Sequence, residues 1–161
     1  YSGITDITGD PVFADGVIYA ANASGRAVAI KPASGERIWT ANQGAYSPLL
    51  PAGDSVFLIS EQGELLRLDR ETGETIWSER LPYFVNRKVR RREAVYAHYG
   101  PVLAGGRLIV ASNDGLIRSY DPTSGALVGT TPIRGGAASN PAIVNGTMYI
   151  VTDKGQLAAF R

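Results

Sequence analysis

An all-β fold of short antiparallel strands in repeated units is what this sequence predicts, and three observations predict it. An eleven-residue stretch, Ala29-Ile-Lys-Pro-Ala-Ser-Gly35-Glu-Arg-Ile-Trp39, returns as Arg67-Leu-Asp-Arg-Glu-Thr-Gly73-Glu-Thr-Ile-Trp77 and, without its tryptophan, as Ser119-Tyr-Asp-Pro-Thr-Ser-Gly125-Ala-Leu-Val-Gly129. Pro11, Pro48, Pro101 and Pro141 are each followed five residues later by a glycine, and a second turn glycine falls at Gly25, Gly63, Gly115 and Gly155. Nineteen glycines and nine prolines among 161 residues, with no collagen period, punctuate the chain too often for long helices and leave room for many short strands.

Each repeat justifies its strands in order. The segment after the proline is a short first strand that ends at a two-residue turn, for which Asp15-Gly16 and Asn145-Gly146 are strong hairpin signals. The apolar runs Val17-Ile-Tyr-Ala-Ala21, Val56-Phe-Leu-Ile-Ser60, Leu108-Ile-Val-Ala-Ser112 and Met148-Tyr-Ile-Val-Thr152 form the second strand. Their near-continuous apolar character implies burial on both faces, whereas the third strand, Ala27-Val-Ala-Ile30 or Leu65-Leu-Arg-Leu68, is more mixed. The eleven-residue unit then reads as the third turn, with glycine taking a positive φ, and the fourth strand carries the tryptophan.

Four short antiparallel strands with a period near forty are the signature of a β-propeller, in which stacking of neighbours supplies the core that no single blade can bury. The expected chain is a segment of about four blades, with repeats over residues 11–47, 48–100, 101–140 and 141–161, the last of them incomplete, as in one half of a longer propeller. Ala29, Gly35 and Trp39, Gly73 and Trp77, and Gly125 recur at one place per repeat and are expected to dock adjacent sheets. The spacing has one irregularity. Pro11 to Pro48 is 37 residues and Pro101 to Pro141 is 40, but Pro48 to Pro101 is 53, which places an insertion of about fifteen residues after Trp77.

Charge follows that insertion. Residues 79–93 hold six basic and two acidic side chains, so this segment is +4 while the rest of the chain is −3, and the overall +1 conceals a polarised molecule. Arg87, Lys88, Arg90, Arg91 and Arg92 form either a solvated loop or an electrostatic surface for an acidic protein or anionic lipid. A total of +1 without a single basic face argues against nucleic acid. The 44% apolar and 19% charged composition is that of a globular domain, and no run reaches the roughly eighteen apolar residues that a spanning helix needs. With no cysteine, disulfides, thiol catalysis and cysteine metal sites are excluded. The chain opens on Tyr1-Ser-Gly-Ile, without methionine or an apolar leader, and is expected to be a processed chain or a piece of a longer one.

The Ala29…Gly35…Trp39 unit resembles the tryptophan-docking motif of pyrroloquinoline-quinone-like (PQQ-like) propeller repeats. Within them the whole chain is similar to the C-terminal half of the BamB family. The residues that carry this run from Thr5-Asp-Ile and Asp15-Gly-Val-Ile-Tyr19, through Ser34-Gly-Glu-Arg-Ile-Trp39 and Tyr99-Gly-Pro-Val-Leu-Ala-Gly-Gly-Arg-Leu-Ile-Val110, to Asn140-Pro-Ala-Ile-Val-Asn-Gly-Thr-Met-Tyr149 and Lys154-Gly-Gln-Leu-Ala-Ala-Phe-Arg161. The resemblance implies an eight-bladed propeller, of which this chain would be one half, serving as a non-catalytic lipoprotein scaffold on the periplasmic face of the bacterial outer membrane and bound to the periplasmic domains of the BamA subunit. Membrane association would come only through a lipid anchor outside this chain. Part of the family's binding surface is an acidic loop ahead of a blade. Asp6 matches its first acidic position, Thr8 stands at the second, and Asp10 supplies a carboxylate two residues on. The resemblance also leaves the missing half of the propeller, or another copy of the chain, as a partner.

The enzyme class open to such repeats is a PQQ-dependent quinoprotein dehydrogenase, and this chain would then be a fragment of one. Such enzymes are similar in holding the quinone with calcium, a catalytic aspartate and commonly a disulfide of adjacent cysteines. Here cysteine is absent and no clustered carboxylate/amide set is visible, so no quinone cofactor is expected. His98 is the only histidine, and with no cysteine or acidic partner nearby in sequence it reads as a hydrogen-bonded structural group. Neither Gly105-Gly106 nor Gly135-Gly136 opens a helix, as a phosphate loop must.

Overall fold

The computed structural model describes residues 9–85, 88, 90 and 94–161. The chain divides into two compact units, Tyr1–Glu79 and Arg80–Arg161. Among the described residues the fold is built from β-strands.

In the first unit, β1 (Val12–Ala14), β2 (Val17–Asn22), β3 (Arg26–Ile30) and β4 (Arg37–Ala41) make one sheet, and β5 (Leu50–Ala52), β6 (Ser55–Ile59), β7 (Glu64–Asp69) and β8 (Thr75–Arg80) make the next. Both are antiparallel meanders in which strand order is chain order. The first hairpin pairs Ala14 with Val17, and Asp15 and Gly16 take φ of 47° and 80°, the two positive values that a type I′ turn requires.

Local sequence decides how these two sheets meet. The first contributes alanines at Ala21, Ala27, Ala29 and Ala41, whose small side chains leave space that Val56, Leu58, Leu66 and Leu68 of the second fill. All of these are buried, and each leucine so placed contributes about 1.5–3 kcal/mol of transfer free energy. In β6 all five residues are buried, as its unbroken apolar run requires, while β7 alternates around Arg67.

In the second unit, β9 (His98–Ala104), β10 (Arg107–Ser112), β11 (Leu116–Tyr120) and β12 (Leu127–Pro132) form a four-stranded meander, and β13 (Ala142–Val144), β14 (Thr147–Val151) and β15 (Leu157–Phe160) a three-stranded one. Its core gathers Ile109, Ala111, Ile117, Ile133, Ala137 and Ile150. The hairpin between β13 and β14 repeats the turn of the first, with Asn145 and Gly146 at φ of 49° and 72°. Between β8 and β9 the chain carries the long connection expected from the proline spacing, and there Phe84 forms an isolated antiparallel bridge with Val95.

Candidate functional site

The loop between β4 and β5 of the first unit is tied to its neighbours by backbone bonds and a close approach. Between β4 and β5 the chain passes through Gly44, whose backbone lies so near its neighbours that a Cβ there would stand 2.1 Å from the Asn22 carbonyl oxygen. No other residue fits. The loop is then tied at several points. Ala45 N–H donates to Asn22 O at 3.1 Å, Gly44 N–H to Glu61 Oε2 at 2.8 Å and Glu61 N–H to Gly44 O at 3.2 Å, and Ala45 bridges Ser60. One residue past this anchored pair, Tyr46 stands 66% exposed. Gly9 is buried against the same loop, within 3.5 Å of the Tyr46 and Ser47 carbonyl oxygens from its Cβ position, and Asp10 beside it is exposed.

Asp10 thus lies at the surface next to a fixed loop, while Asp6 and Thr8 lie outside the described residues. Of the basic insertion, Lys88 and Arg90 are exposed, and Arg87, Arg91 and Arg92 lie outside the described residues. Tyr83 and Phe84, at its start, form an edge-to-face pair with centroids 5.0 Å apart.

The recurring aromatic positions differ from one another. Trp39 is 6% exposed, its indole lies directly against Gly73 of the next sheet, and its Nε1–H donates to Arg70 O at 2.8 Å. Ala29 faces Trp39 across the β3–β4 ladder and is fully buried. Trp77 is half-buried and packs on Phe57, with centroids 6.1 Å apart. Gly35, Gly73 and Gly125 occupy equivalent turns, each donating its N–H to the carbonyl four residues earlier, at Lys31, Asp69 and Asp121. In the last two turns the aspartate side chain accepts further bonds from the backbone at Thr72 and Ser124 and from their hydroxyls, which holds both carboxyls below their ordinary pKa.

Sequence reasoning did not anticipate Arg70. Its Nε donates to Tyr19 Oη at 2.9 Å and its Nη2 to Asp15 Oδ2 at 2.7 Å, while Nη1 reaches Gly53 O at 2.9 Å. Arg70 therefore joins the two sheets of the first unit, and its guanidinium also sits 5.8 Å from the Tyr19 ring centroid.

A second polar cluster surrounds His98. A carbonyl only accepts, so Nε2–H donates to Pro82 O at 2.9 Å, and the Ser112 hydroxyl donates to Nδ1 at 2.7 Å. Ser112 Oγ accepts in turn from Arg118 Nη1 at 3.2 Å, and Arg118 makes a two-pronged ion pair with Asp114 in which both side chains are 8% exposed. Burial pushes the His98 imidazole below its ordinary pKa, with the Arg118 charge adding to it and the Pro82 bond and Asp114 opposing. Every polar atom named here has a partner, and the cluster fits a structural clamp between β9 and the start of the insertion.

A quinone with calcium needs a free aromatic face and a set of carboxylate or amide ligands. Trp39 is covered by Gly73 and Tyr19, and among the described residues no group of three His, Cys, Asp or Glu side chains converges on one point.

The family profile described as outer membrane protein assembly factor BamB matches residues 1–79 and 88–161. The Legionella pneumophila protein of that name is 26% identical over 154 residues, which is 96% of this chain and 37% of the relative, so the chain spans less than two fifths of its length. The crystal structure of BamB from Moraxella catarrhalis superposes with a TM-score of 0.75 at 25% identity, covering 96% of this chain and 46% of that one. A quinohemoprotein alcohol dehydrogenase from Comamonas testosteroni, at 17% identity, 90% and 29% coverage and a TM-score of 0.70, shares the fold alone. With three four-stranded meanders and one of three strands among the described residues, the chain has the all-β propeller architecture. It belongs to the BamB family of outer membrane protein assembly factors.

Proposed function

We propose that this chain is part of a non-catalytic periplasmic scaffold that supports assembly of β-barrel proteins into the outer membrane by binding another protein. Membership of the BamB family supports the process, and the proposed partner is the periplasmic region of a BamA-like barrel-assembly subunit. The single observation that carries a binding role is the loop around Gly44, whose backbone is tied to Asn22 and Glu61 and which presents Tyr46 to solvent. In this reading neither quinone nor metal takes part, and attachment to the membrane comes through a lipid anchor of the full-length protein.

The site proposed for the partner is the loop of Asp6, Thr8 and Asp10, where a carboxylate can hold an arginine by two hydrogen bonds. Losing one member of a desolvated pair costs about 2–5 kcal/mol, whereas losing a rim contact changes little. In the full-length protein, Asp6→Arg should weaken binding to the periplasmic domains of the BamA-like subunit at least about tenfold, on the order of 1.4 kcal/mol, with the unfolding midpoint unchanged. Calorimetry that finds unchanged affinity for Asp6→Arg, together with a large loss on neutralising Arg90, Arg91 and Arg92, would move the interface to the insertion.

A further inference from the structure

We infer that Tyr46 and Asp10 together form the seat for an arginine-bearing segment of the protein partner, the Tyr46 ring taking the flat face of the guanidinium and the Asp10 carboxylate its N–H edge. The inference rests on the reading of this chain as a protein-binding scaffold and adds to it a residue outside the acidic loop.

Four observations lead there. Tyr46 is 66% exposed, a large aromatic ring turned to solvent. A single exposed side chain is ordinary by itself. This one is displayed from a backbone that cannot move easily: Ala45 N–H is bonded to Asn22 O, Ala45 bridges Ser60, and Gly44 is wedged against Asn22 and bonded to Glu61 in both directions. An aromatic ring with two rotatable bonds on a fixed loop loses little entropy on binding, which is the property that makes tyrosine an interface anchor.

The neighbour supplies the charge. Gly9 packs on the Tyr46 and Ser47 carbonyls, so Asp10, one Cα step of about 3.8 Å further on, is held beside the aromatic loop by the chain itself. Asp10 is exposed, and outside residues 79–93 the chain is net −3. A cation is therefore the complementary group. Arginine fits better than lysine because its planar guanidinium stacks on a ring and offers an edge of donors to a carboxylate at once, whereas an ammonium is a hydrated point charge.

The test uses the full-length protein and the periplasmic domains of the BamA-like subunit, with affinity read by calorimetry and folding by urea midpoint. Tyr46→Ala should weaken binding at least about tenfold with an unchanged midpoint, and Tyr46→Phe should stay within about threefold, because the ring and not the hydroxyl is used. Tyr46→Leu keeps apolar area without a π face and should behave like Tyr46→Ala. Asp10→Asn should weaken binding and flatten its salt dependence. Binding by Tyr46→Leu equal to wild type would overturn the arginine seat in favour of plain apolar contact. Unchanged affinity for Tyr46→Ala alongside a loss for Asp6→Arg would overturn this inference and leave the scaffold reading standing. Absence of binding by the wild-type protein would remove both.

Discussion

Trp39 and Gly73 belong to different sheets and touch so closely that a Cβ on Gly73 would come within 2.7 Å of the indole. Gly35 occupies the same place in the preceding turn, at φ 69° against 74°, with nothing within 4 Å. The pair separates backbone strain from packing. Gly35→Ala should cost about 1–2 kcal/mol, the left-handed penalty alone. Gly73→Ala should cost about 1–3 kcal/mol more, because the ring must shift or the sheets part. Urea midpoints of the two variants measured side by side decide it, and equal losses would show that the Trp39 contact is not tight.

Arg118 and Asp114 pair where water scarcely reaches. Arg118→Met should destabilise by about 3–5 kcal/mol, since Asp114 is left buried with only the Leu116 and local bonds to hold its charge. Adding Asp114→Leu to that variant should recover much of the loss, as a buried ion pair contributes less than the penalty for breaking half of it. A double variant no more stable than Arg118→Met would refute the argument.

Two pH windows should appear in the unfolding free energy. For His98 the folded pKa is depressed below 6.5, so the unfolded chain binds more protons in the interval between the two values and stability rises with pH there. The contribution is complete above 6.5 and is lost as pH falls through the folded value. For Asp69 and Asp121 the folded pKa lies below 3.8, so their contribution is complete above that value and disappears only in stronger acid. Equilibrium denaturation from pH 7.5 to 5 should show a decline that His98→Gln removes and Asp69→Asn does not.

Neutralising Arg90, Arg91 and Arg92 to glutamine should change affinity for the partner domains by less than about threefold at physiological ionic strength, where exposed charges more than about 8 Å apart are screened. The association rate at low salt is the more sensitive reading, and a collapse of affinity would instead assign the insertion to the interface.

Adding pyrroloquinoline quinone and calcium to the full-length protein should leave its melting temperature unchanged. Any ligand that binds the native state alone must raise it, because binding adds about 2.7 kcal/mol to the unfolding free energy at a hundred times the dissociation constant. A dose-dependent rise would restore the quinoprotein reading.

The fold was legible where local chemistry determines it. Asp15-Gly16 and Asn145-Gly146 announced turns that need two positive φ values, and the unbroken run Val56-Phe-Leu-Ile-Ser60 announced a strand with no solvent face. Arg70 was not legible, because its partners Tyr19 and Asp15 are more than fifty residues away and are met only when two sheets stack. His98 showed no acidic neighbour in sequence. Yet it is the ladder partner of Ser112, and Asp114 and Arg118 follow around one hairpin, so strand register would have brought the cluster together. Tyr46 carried no signal at all: its exposure depends on Gly44 turning the loop, and one glycine in a glycine-rich chain does not announce itself.

In every sheet the spatial order of strands repeats their order along the chain, and this has a kinetic consequence. Each ladder closes across a short turn, so its contact order is low and little loop entropy is lost before the first hydrogen bonds form. A blade can therefore complete its pairing while the following one is still unfolded. The slow step becomes the stacking of finished blades, where Trp39 settles on Gly73 and Arg70 reaches Tyr19, and mutations at those contacts should slow folding more than equally destabilising changes inside a hairpin.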